Sequence, residues 1–349
     1  MSDRELPNVS STTPLFGVTF TISDNSTSEN SSTSGLDEII AANDLTSRAN
    51  YAYSFLAGLG FIAGCFLLYS FIFTYRAQRR LAWLDGLLGA FCSIQLLLVL
   101  LSLHAVAYRP DYLRTTDLGC AALSFAINTA SLCGLLVLVL IAYVLTQDPP
   151  SHAVLRKPGV CVALVILTSL LICLLLAGLR GPHNGLQEEG ICFMDPVKAS
   201  YADARFCLAF LVPYILQLGL LLSGCIRQWK SEGHFLHGSE EGPVFLAITS
   251  VMFFCQLFYG VTLRKDAHLE TALDHQKRAF LSVAEFVFFS GSSASLLLVL
   301  LVHRPRRESL YSLFQQLRDC CQSPRHSQPS RNIIAPHIEI TDTLQDIES

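Results

Sequence analysis

Four ionisable residues interrupt long apolar stretches of this sequence: Asp85, His104, Arg205 and Glu285. A charge among apolar side chains is costly to bury, so such residues mark either a binding site or a structural ion pair. Catalysis would need paired acids or a His-Glu-x-x-His cluster, whereas these four residues are spread over three different stretches at different depths. We therefore expect no enzymatic activity, and at these positions either ligand binding or a structural role.

The elements that carry these residues are strongly apolar. Of the 349 residues, 51% are hydrophobic and 15% are charged, and the mean hydropathy is +0.44. Soluble domains have about 25% charged residues, so this composition excludes a soluble globular protein. The net charge of −4 gives no reason to expect a nucleic-acid partner. We find no phosphate-binding glycine loop and no Cys/His metal spacing, so we expect no cofactor and no metal.

Seven apolar runs are long enough to cross a bilayer. A crossing helix needs about 20 mostly apolar residues, because its backbone hydrogen bonds must be satisfied internally. The runs are Tyr51–Tyr75, Leu81–Ala107, Leu118–Thr146, Gly159–Leu179, Ala204–Ile226, Pro243–Leu263 and Ala279–His303. The sequence therefore predicts an all-α fold, a seven-transmembrane helix bundle over residues 51–303.

Polar segments flank the seven runs. Residues 1–50 are rich in Ser, Thr and Asn, and they contain glycosylation sequons at Asn8, Asn25 and Asn30. This segment is predicted to be a disordered, glycosylated extracellular N-terminus, although the distribution of Lys and Arg favours that orientation only weakly. Residues 322–349 are predicted to be a disordered cytoplasmic tail. Together these segments indicate an integral protein of the plasma membrane.

A short amphipathic helix is predicted over residues 304–321. Four apolar residues recur there at helical spacing, so they share one face: Leu310, Leu313, Phe314 and Leu317. Nearby arginines would meet anionic headgroups if this helix lay on the inner membrane surface, but a soluble helix explains the pattern equally well. The segment ends in Cys320 and Cys321, which are candidates for palmitoylation.

The sequence contains 12 cysteines, which fall into different environments. Eight lie inside the apolar runs, where cysteine is usually a small buried hydrophobe. Cys120 instead lies at the outer end of the third run and Cys192 in the loop between the fourth and fifth runs, both on the side of the N-terminus. If that side is extracellular, two such cysteines are expected to form a disulfide, and the alternative is two free thiols.

This constellation resembles a rhodopsin-like G-protein-coupled receptor. The matching features are seven spans, a sequon-bearing N-terminus, a cysteine at the top of the third span matched by one in the second outer loop, and an eighth helix ending in Cys-Cys. The resemblance covers residues 51–321. Local matches are Pro213, where the family often has a bulge-forming proline, and Cys255, which resembles a remnant of the family's Cys-Trp-x-Pro switch. The resemblance implies a signalling receptor for an extracellular ligand, with a heterotrimeric G protein or arrestin and membrane lipid as partners.

Several activation motifs of that family are missing from this chain. Leu145 stands where the family has the Arg of Asp-Arg-Tyr. Gln256 and Phe258 stand where the sixth span has its Trp and Pro, and the seventh span has no Asn-Pro-x-x-Tyr. Prolines kink helices and act as hinges, so their loss predicts atypical or weak G-protein coupling, as in orphan members of the family.

Five residues are candidate ligand-binding residues at the depth where such receptors hold ligands: Asn128, Tyr214, Gln256, Tyr259 and Glu285. Glu285 would be the counter-charge for a cationic ligand, or it would pair with Arg205 at a similar depth. Asn128 would contact the ligand or join two helices by a hydrogen bond. The acidic residues around Cys192 slightly favour a cationic or peptide ligand, and a solvated loop explains them equally well.

Two other functions stay open at this point. The missing motifs are compatible with a non-signalling seven-span scaffold or modulator of other receptors. A transporter or channel would need a polar path, broken helices or an internal repeat, none of which the sequence shows. We therefore expect a receptor first, a scaffold second and a transporter or channel last.

Overall fold

A computed structural model describes the helical part of the chain. The described residues are 32–78, 83–103, 117–146, 158–180, 187–188, 191–192, 194–231, 242–268, 275–303, 307–312, 315 and 318. The three sequons, His104, Cys320, Cys321 and the predicted tail lie outside these ranges, so their predictions stay predictions.

Within these described residues, seven helices are long and apolar enough to cross a membrane. Their bounds are α1 (Ser32–Gln78), α2 (Trp83–Ser102), α3 (Asp117–Thr146), α4 (Pro158–Arg180), α5, α6 (Gly242–His268) and α7 (His275–Val302). Helix α5 is continuous and has three parts: Ala199–Arg205, a π-helical segment Phe206–Leu211, and Val212–Ser231. The prediction of an all-α bundle with seven transmembrane helices is confirmed.

Little other regular structure occurs within the described ranges. Strands β1 (Gln187–Glu188) and β2 (Ile191–Cys192) form a small antiparallel pair between α4 and α5. Residues 307–312, 315 and 318 are helical, and Leu310 packs against the core as the predicted amphipathic face requires. The side chains of Leu313, Phe314 and Leu317 lie outside the described residues.

Helix α1 begins at Ser32, well before the predicted start at Tyr51. Local interactions support this extension, since Asp44 and Arg48 form an i,i+4 ion pair at 2.8 Å and Ala42 is buried. The disorder predicted across residues 1–50 is therefore wrong for residues 32–50. An apolar run indicates the part of a helix that lies in the bilayer, whereas helical hydrogen bonds continue into polar sequence beyond it.

The helices pack into one bundle in which α3 contacts four of the others. Helix α1 contacts α2 and α7, α6 contacts α7, and α3 contacts α2, α4, α5 and α6. Helix α4 lies at the periphery, where Leu167, Leu171, Leu174 and Leu175 are more than half exposed. Apolar side chains on such a surface are suited to lipid tails. We call the end of the bundle where α1 begins and α4 ends its N-terminal end.

The π-helical segment of α5 ends at Leu211, two residues before Pro213. Proline has no backbone N–H and cannot donate to the carbonyl four residues earlier, so a regular helix is disfavoured there. A π-helical turn accommodates one additional residue, and such turns are frequent at functional sites. The bulge that the resemblance implies at Pro213 is therefore present in α5.

Small residues allow α1 to approach α7 closely. A Cβ atom added at Gly60 would lie 2.6 Å from the Cβ of Ser293 on α7. Further along α1, a Cβ at Gly64 would lie 2.8 Å from Leu96, which belongs to α2. Nearer the N-terminal end, Tyr53 donates a hydrogen bond to Ser102 and stacks on Phe286, with ring centroids 5.8 Å apart. Close packing of small residues is a main source of helix association in membranes.

We predict that Gly60→Ala lowers the stability of the purified protein by about 1–3 kcal/mol, because the added methyl group overlaps Ser293. The measurement is the thermal unfolding midpoint in lipid nanodiscs, followed with a thiol-reactive dye that labels the buried cysteines as they become accessible. Gly58→Ala is the matched control, since nothing lies within 4 Å of its added Cβ. Equal midpoints for the two variants would contradict the close contact.

Candidate functional site

A buried aspartate from the segment between α4 and α5 lies inside the N-terminal end of the bundle. Asp195 follows strand β2 and precedes α5, and its side chain is 0% exposed. Its neighbours Met194 and Pro196 are also buried, whereas Val197 and Lys198 are exposed. The segment therefore enters the bundle at residues 194–196 and leaves it again before α5 begins.

The Asp195 carboxylate is surrounded by hydrogen-bond donors. Arg205 forms an ion pair with it, with Nε 3.0 Å from Oδ2. The Tyr259 hydroxyl donates to Oδ2 at 2.8 Å, and the Asn128 amide donates to Oδ1 at 3.0 Å. The Tyr201 hydroxyl also donates to Oδ1. Several donors converge on one carboxylate, and a buried charge needs such partners to be tolerated in an apolar surrounding.

Arg205 is fixed by contacts beyond its ion pair. Its Nε and Nη2 atoms donate to Asn128 Oδ1 at 3.2 and 3.0 Å. Its guanidinium lies over the rings of Tyr259 at 4.7 Å and Phe288 at 5.8 Å. A guanidinium over aromatic faces gains cation–π attraction. The Arg205 group is therefore held in one orientation by polar and aromatic contacts together.

Arg180 supplies a second positive charge to the same carboxylate. It is near the last turn of α4, its side chain is 8% exposed, and Nη2 lies 3.8 Å from Asp195 Oδ1. Nη2 also donates to Ser124 at 2.5 Å and to Tyr201 at 3.3 Å. Two guanidinium groups thus share one carboxylate. We call Asn128, Arg180, Asp195, Tyr201, Arg205 and Tyr259 the Asp195 cluster.

The backbone of Met194 anchors the segment to two helices. Its carbonyl accepts a hydrogen bond from Ser124 of α3. Its amide donates to Glu285 Oε1 of α7 at 3.4 Å. Asp195 and Met194 together connect the segment to α3, α4, α5, α6 and α7.

A small cavity lies directly beside the Asp195 cluster. Asn128 and Arg205 line it, together with Ser131 and Gln256. The remaining lining is mostly apolar: Leu132, Cys173, Leu176, Phe206, Ala209, Phe210, Gly260 and Phe288. Its volume is about 20 Å³, which is room for one or two water molecules. The inserted segment thus leaves almost no free space beside the arginines.

The predicted ligand-binding residues fall into three groups. Asn128 and Tyr259 belong to the Asp195 cluster. Gln256 lines the cavity and donates to Ser131 at 3.5 Å, and Glu285 accepts from Met194 at the margin of the cluster. Tyr214 packs among aromatic rings, 5.0 Å from both Phe210 and Phe253, and its hydroxyl has no hydrogen-bond partner among the described residues.

Four cluster members were not among the five predicted ligand-binding residues: Arg180, Asp195, Tyr201 and Arg205. Arg180 and Asp195 do stand out as charges beside apolar runs, because Arg180 ends α4 and Asp195 lies four residues before α5. The sequence gives no sign of the path of the segment, since nothing in its composition shows that residues 194–196 turn into the bundle. One alternative for Glu285 was a structural ion pair with Arg205. In the structure, Arg205 forms an ion pair with Asp195.

Of the eight cysteines in the apolar runs, four are buried as predicted, two are partly buried, and Cys65 and Cys207 are exposed. Cys120 is buried and disulfide-bonded. The eight cysteines of the apolar runs form no disulfide within the described part of the chain. The side chain of Cys192 lies outside the described residues, so its pairing with Cys120 stays a prediction.

Comparison with solved structures relates this arrangement to a known architecture. The crystal structure of squid rhodopsin matches over 80% of this chain and 88% of that chain, with a TM-score of 0.60 and 14% sequence identity. The chain has a rhodopsin-like fold. No protein-family model and no curated protein matches the sequence. At this level of identity the similarity applies to the course of the backbone, and the side chains of the Asp195 cluster are described by this structure alone.

We predict that Arg205→Met lowers the free energy of unfolding by about 3–5 kcal/mol, because it leaves a buried carboxylate without its closest cation. The matched control is Arg264→Met, since Arg264 also pairs with an aspartate, Asp203, at 2.7 Å, but both side chains are well exposed. That control is expected to change stability little, because solvent screens exposed pairs. Thermal unfolding midpoints of both variants in nanodiscs make the comparison, and equal losses would contradict a structural role for the buried pair.

Proposed function

We propose that this protein is a plasma-membrane receptor with an extracellular N-terminus, which responds to an extracellular ligand at the Asp195 cluster and couples only weakly to G proteins. The observation that carries the proposal is the buried cluster at the N-terminal end of a rhodopsin-like bundle. Its members come from α3, α4, α5 and α6, so a ligand that changes their contacts changes how these four helices pack. A change in helix packing is the kind of response that a membrane receptor has to transmit.

The proposal of weak G-protein coupling rests on the end of the bundle opposite the Asp195 cluster. Leu145, in the place of the family's Arg, packs against the hydrophobic core at the end of α3. Helix α6 runs unbroken from Gly242 to His268, and its one proline, Pro243, lies in the first turn, where proline causes no kink. The described part of α7 has no proline at all. Without a hinge in either helix, a large outward movement of α6 is energetically less accessible.

Two covalent features belong to the same proposal. Cys192 is the partner of Cys120, which would tie the segment carrying Asp195 to the start of α3. Cys320 and Cys321 carry palmitate and hold the eighth helix on the inner membrane surface. Both features require that the N-terminal end of the bundle faces the oxidising side of the membrane.

The orientation gives a direct prediction. In cells, removal of N-linked glycans is expected to increase the electrophoretic mobility of the wild-type protein and to leave a variant with Asn8→Gln, Asn25→Gln and Asn30→Gln unchanged. The measurement is an immunoblot before and after glycosidase treatment, together with antibody labelling of an N-terminal tag on intact cells. A glycan-free wild-type protein whose tag is labelled only after permeabilisation would contradict the proposed topology.

The function itself is tested with a transducer panel. Surface-expressed protein is tested for coupling to each G-protein class and for arrestin recruitment, with and without tissue extract. We expect low basal output and an extract-dependent response in at least one of these assays. Gln256→Ala is expected to shift the half-maximal extract dilution about tenfold, because Gln256 lines the cavity.

Gln217→Ala is the matched control for that panel. Gln217 is also a buried glutamine with one long hydrogen bond, 3.4 Å to the Leu135 carbonyl, but it does not line the cavity. Its response should equal that of wild type at equal surface expression. High basal output would contradict weak coupling. If correctly folded surface protein gives no response in any of the assays, the result would favour the non-signalling scaffold.

A further inference from the structure

The Asp195 cluster has the composition of an anion-binding site. Its donors belong to four different helices: Asn128 on α3, Arg180 on α4, Tyr201 and Arg205 on α5, and Tyr259 on α6. All five direct polar groups at one carboxylate. Planar guanidinium groups are well matched in geometry to carboxylates. The helices thus supply a complete recognition site, and the anion comes from outside them.

The anion is carried by an element that can leave without unfolding a helix. Met194 and Asp195 lie in a bend between β2 and the start of α5, in contrast to the five donors. Among the described residues, Met194 also holds this bend, through its buried side chain in the hydrophobic core and through backbone hydrogen bonds to Ser124 and Glu285. Withdrawal of residues 194–196 would leave two buried guanidinium groups facing an empty space, which is unfavourable unless another anion enters.

We propose that Asp195 is an internal occupant of a carboxylate-binding site, and that the ligand is a small organic carboxylate which takes its place. This inference rests on the proposed receptor function for the ligand's role, but the binding site itself does not depend on it. The carboxylate of the ligand pairs with Arg205 and Arg180, and its carbon chain extends toward the cavity past Asn128. The ligand occupies the space that the segment vacates together with the cavity of about 20 Å³. The cavity itself adds room for only one or a few carbon atoms of the ligand's chain.

The inference revises the ligand class suggested by the acidic outer loop. The loop acid nearest the site, Asp195, is directed at two arginines and is already neutralised. A cationic ligand would have to approach Arg180 and Arg205 while displacing their counter-ion. An anionic ligand replaces that counter-ion without changing the net charge of the site. The interior of the site therefore favours an anionic ligand, whereas the acidic outer loop favours a cationic one.

The test is chemical rescue of a variant whose internal carboxylate is deleted. Full-length Asp195→Ala in nanodiscs is expected to unfold at a lower temperature than wild type. Acetate and propionate should then raise its unfolding midpoint saturably by about 3 °C or more, as expected for a ligand that binds only the folded state. Acetamide and sodium chloride at matched ionic strength should have no such effect. Wild-type protein should respond much less, because its site is filled.

Three further variants make the result specific. Asp203→Ala removes an exposed aspartate paired with Arg264 and should show no rescue. Adding Arg205→Met to Asp195→Ala should abolish the rescue. If Asp195→Ala does not fold, Asp195→Asn keeps the size of the side chain, and its midpoint should rise more steeply with acetate than that of wild type.

The outcomes separate this inference from the receptor function. The carboxylate site would be overturned if carboxylates raise the unfolding midpoints of Asp195→Ala and Asp195→Asn no more than those of wild type and Asp203→Ala. This conclusion holds whatever the transducer panel shows. An acid series in which decanoate is the best ligand would point to a lipid-derived acid and contradict a small one. Rescue by short acids together with a silent panel would support the carboxylate site and favour the non-signalling scaffold over the receptor function.

Discussion

The buried pairing of one carboxylate with two guanidinium groups constrains the N-terminal end of the bundle more than any other interaction. Charges removed from water must be compensated by close, well-directed partners, since an unpaired buried charge costs several kcal/mol. Asp195 therefore requires not only Arg205 and Arg180 but also the hydroxyl groups of Tyr201 and Tyr259. These partners belong to different helices. The need to satisfy one carboxylate thus determines how the ends of α3, α4, α5 and α6 are arranged, and it explains why the segment before α5 enters the bundle.

The other side of the bundle is held together by different means. Along α1 and α7 the helices approach at small residues, with Gly60 against Ser293 and an aromatic contact between Tyr53 and Phe286. This contact has no requirement for charge and depends on close packing over its length. One half of the molecule is therefore stabilised by apolar contact, and the other by a polar centre that a competing anion could alter. A protein built in this way can change one half while the other remains a fixed frame.

Much of the architecture could be predicted from residue types alone. Apolar runs of sufficient length identify crossing helices with little ambiguity, because the bilayer leaves no alternative way to satisfy the backbone. Helix ends were less predictable: Asp44 and Arg48 extend α1 through polar sequence by local contacts that hydropathy does not detect. In the site, Asn128, Tyr259, Gln256 and Glu285 could be suggested from their depth in the spans. Asp195 could not, because its role depends on the path of a non-helical segment, which is set by partners distant in the sequence.

The π-helical segment Phe206–Leu211 also sets the direction in which the preceding turn of α5 faces. One additional residue in a helix rotates the residues before it by about 100° relative to the residues after it, since a regular helix turns 360° in 3.6 residues. Tyr201 and Arg205 precede the segment, and the long apolar part of α5 comes after it. Deleting a single residue between them would leave the hydropathy of the helix almost unchanged, yet it would rotate the guanidinium from the protein interior toward acyl chains. The length of this one turn is therefore constrained as strictly as the charged residues themselves, and an alignment of related chains that places a gap there would mark those that have lost the site.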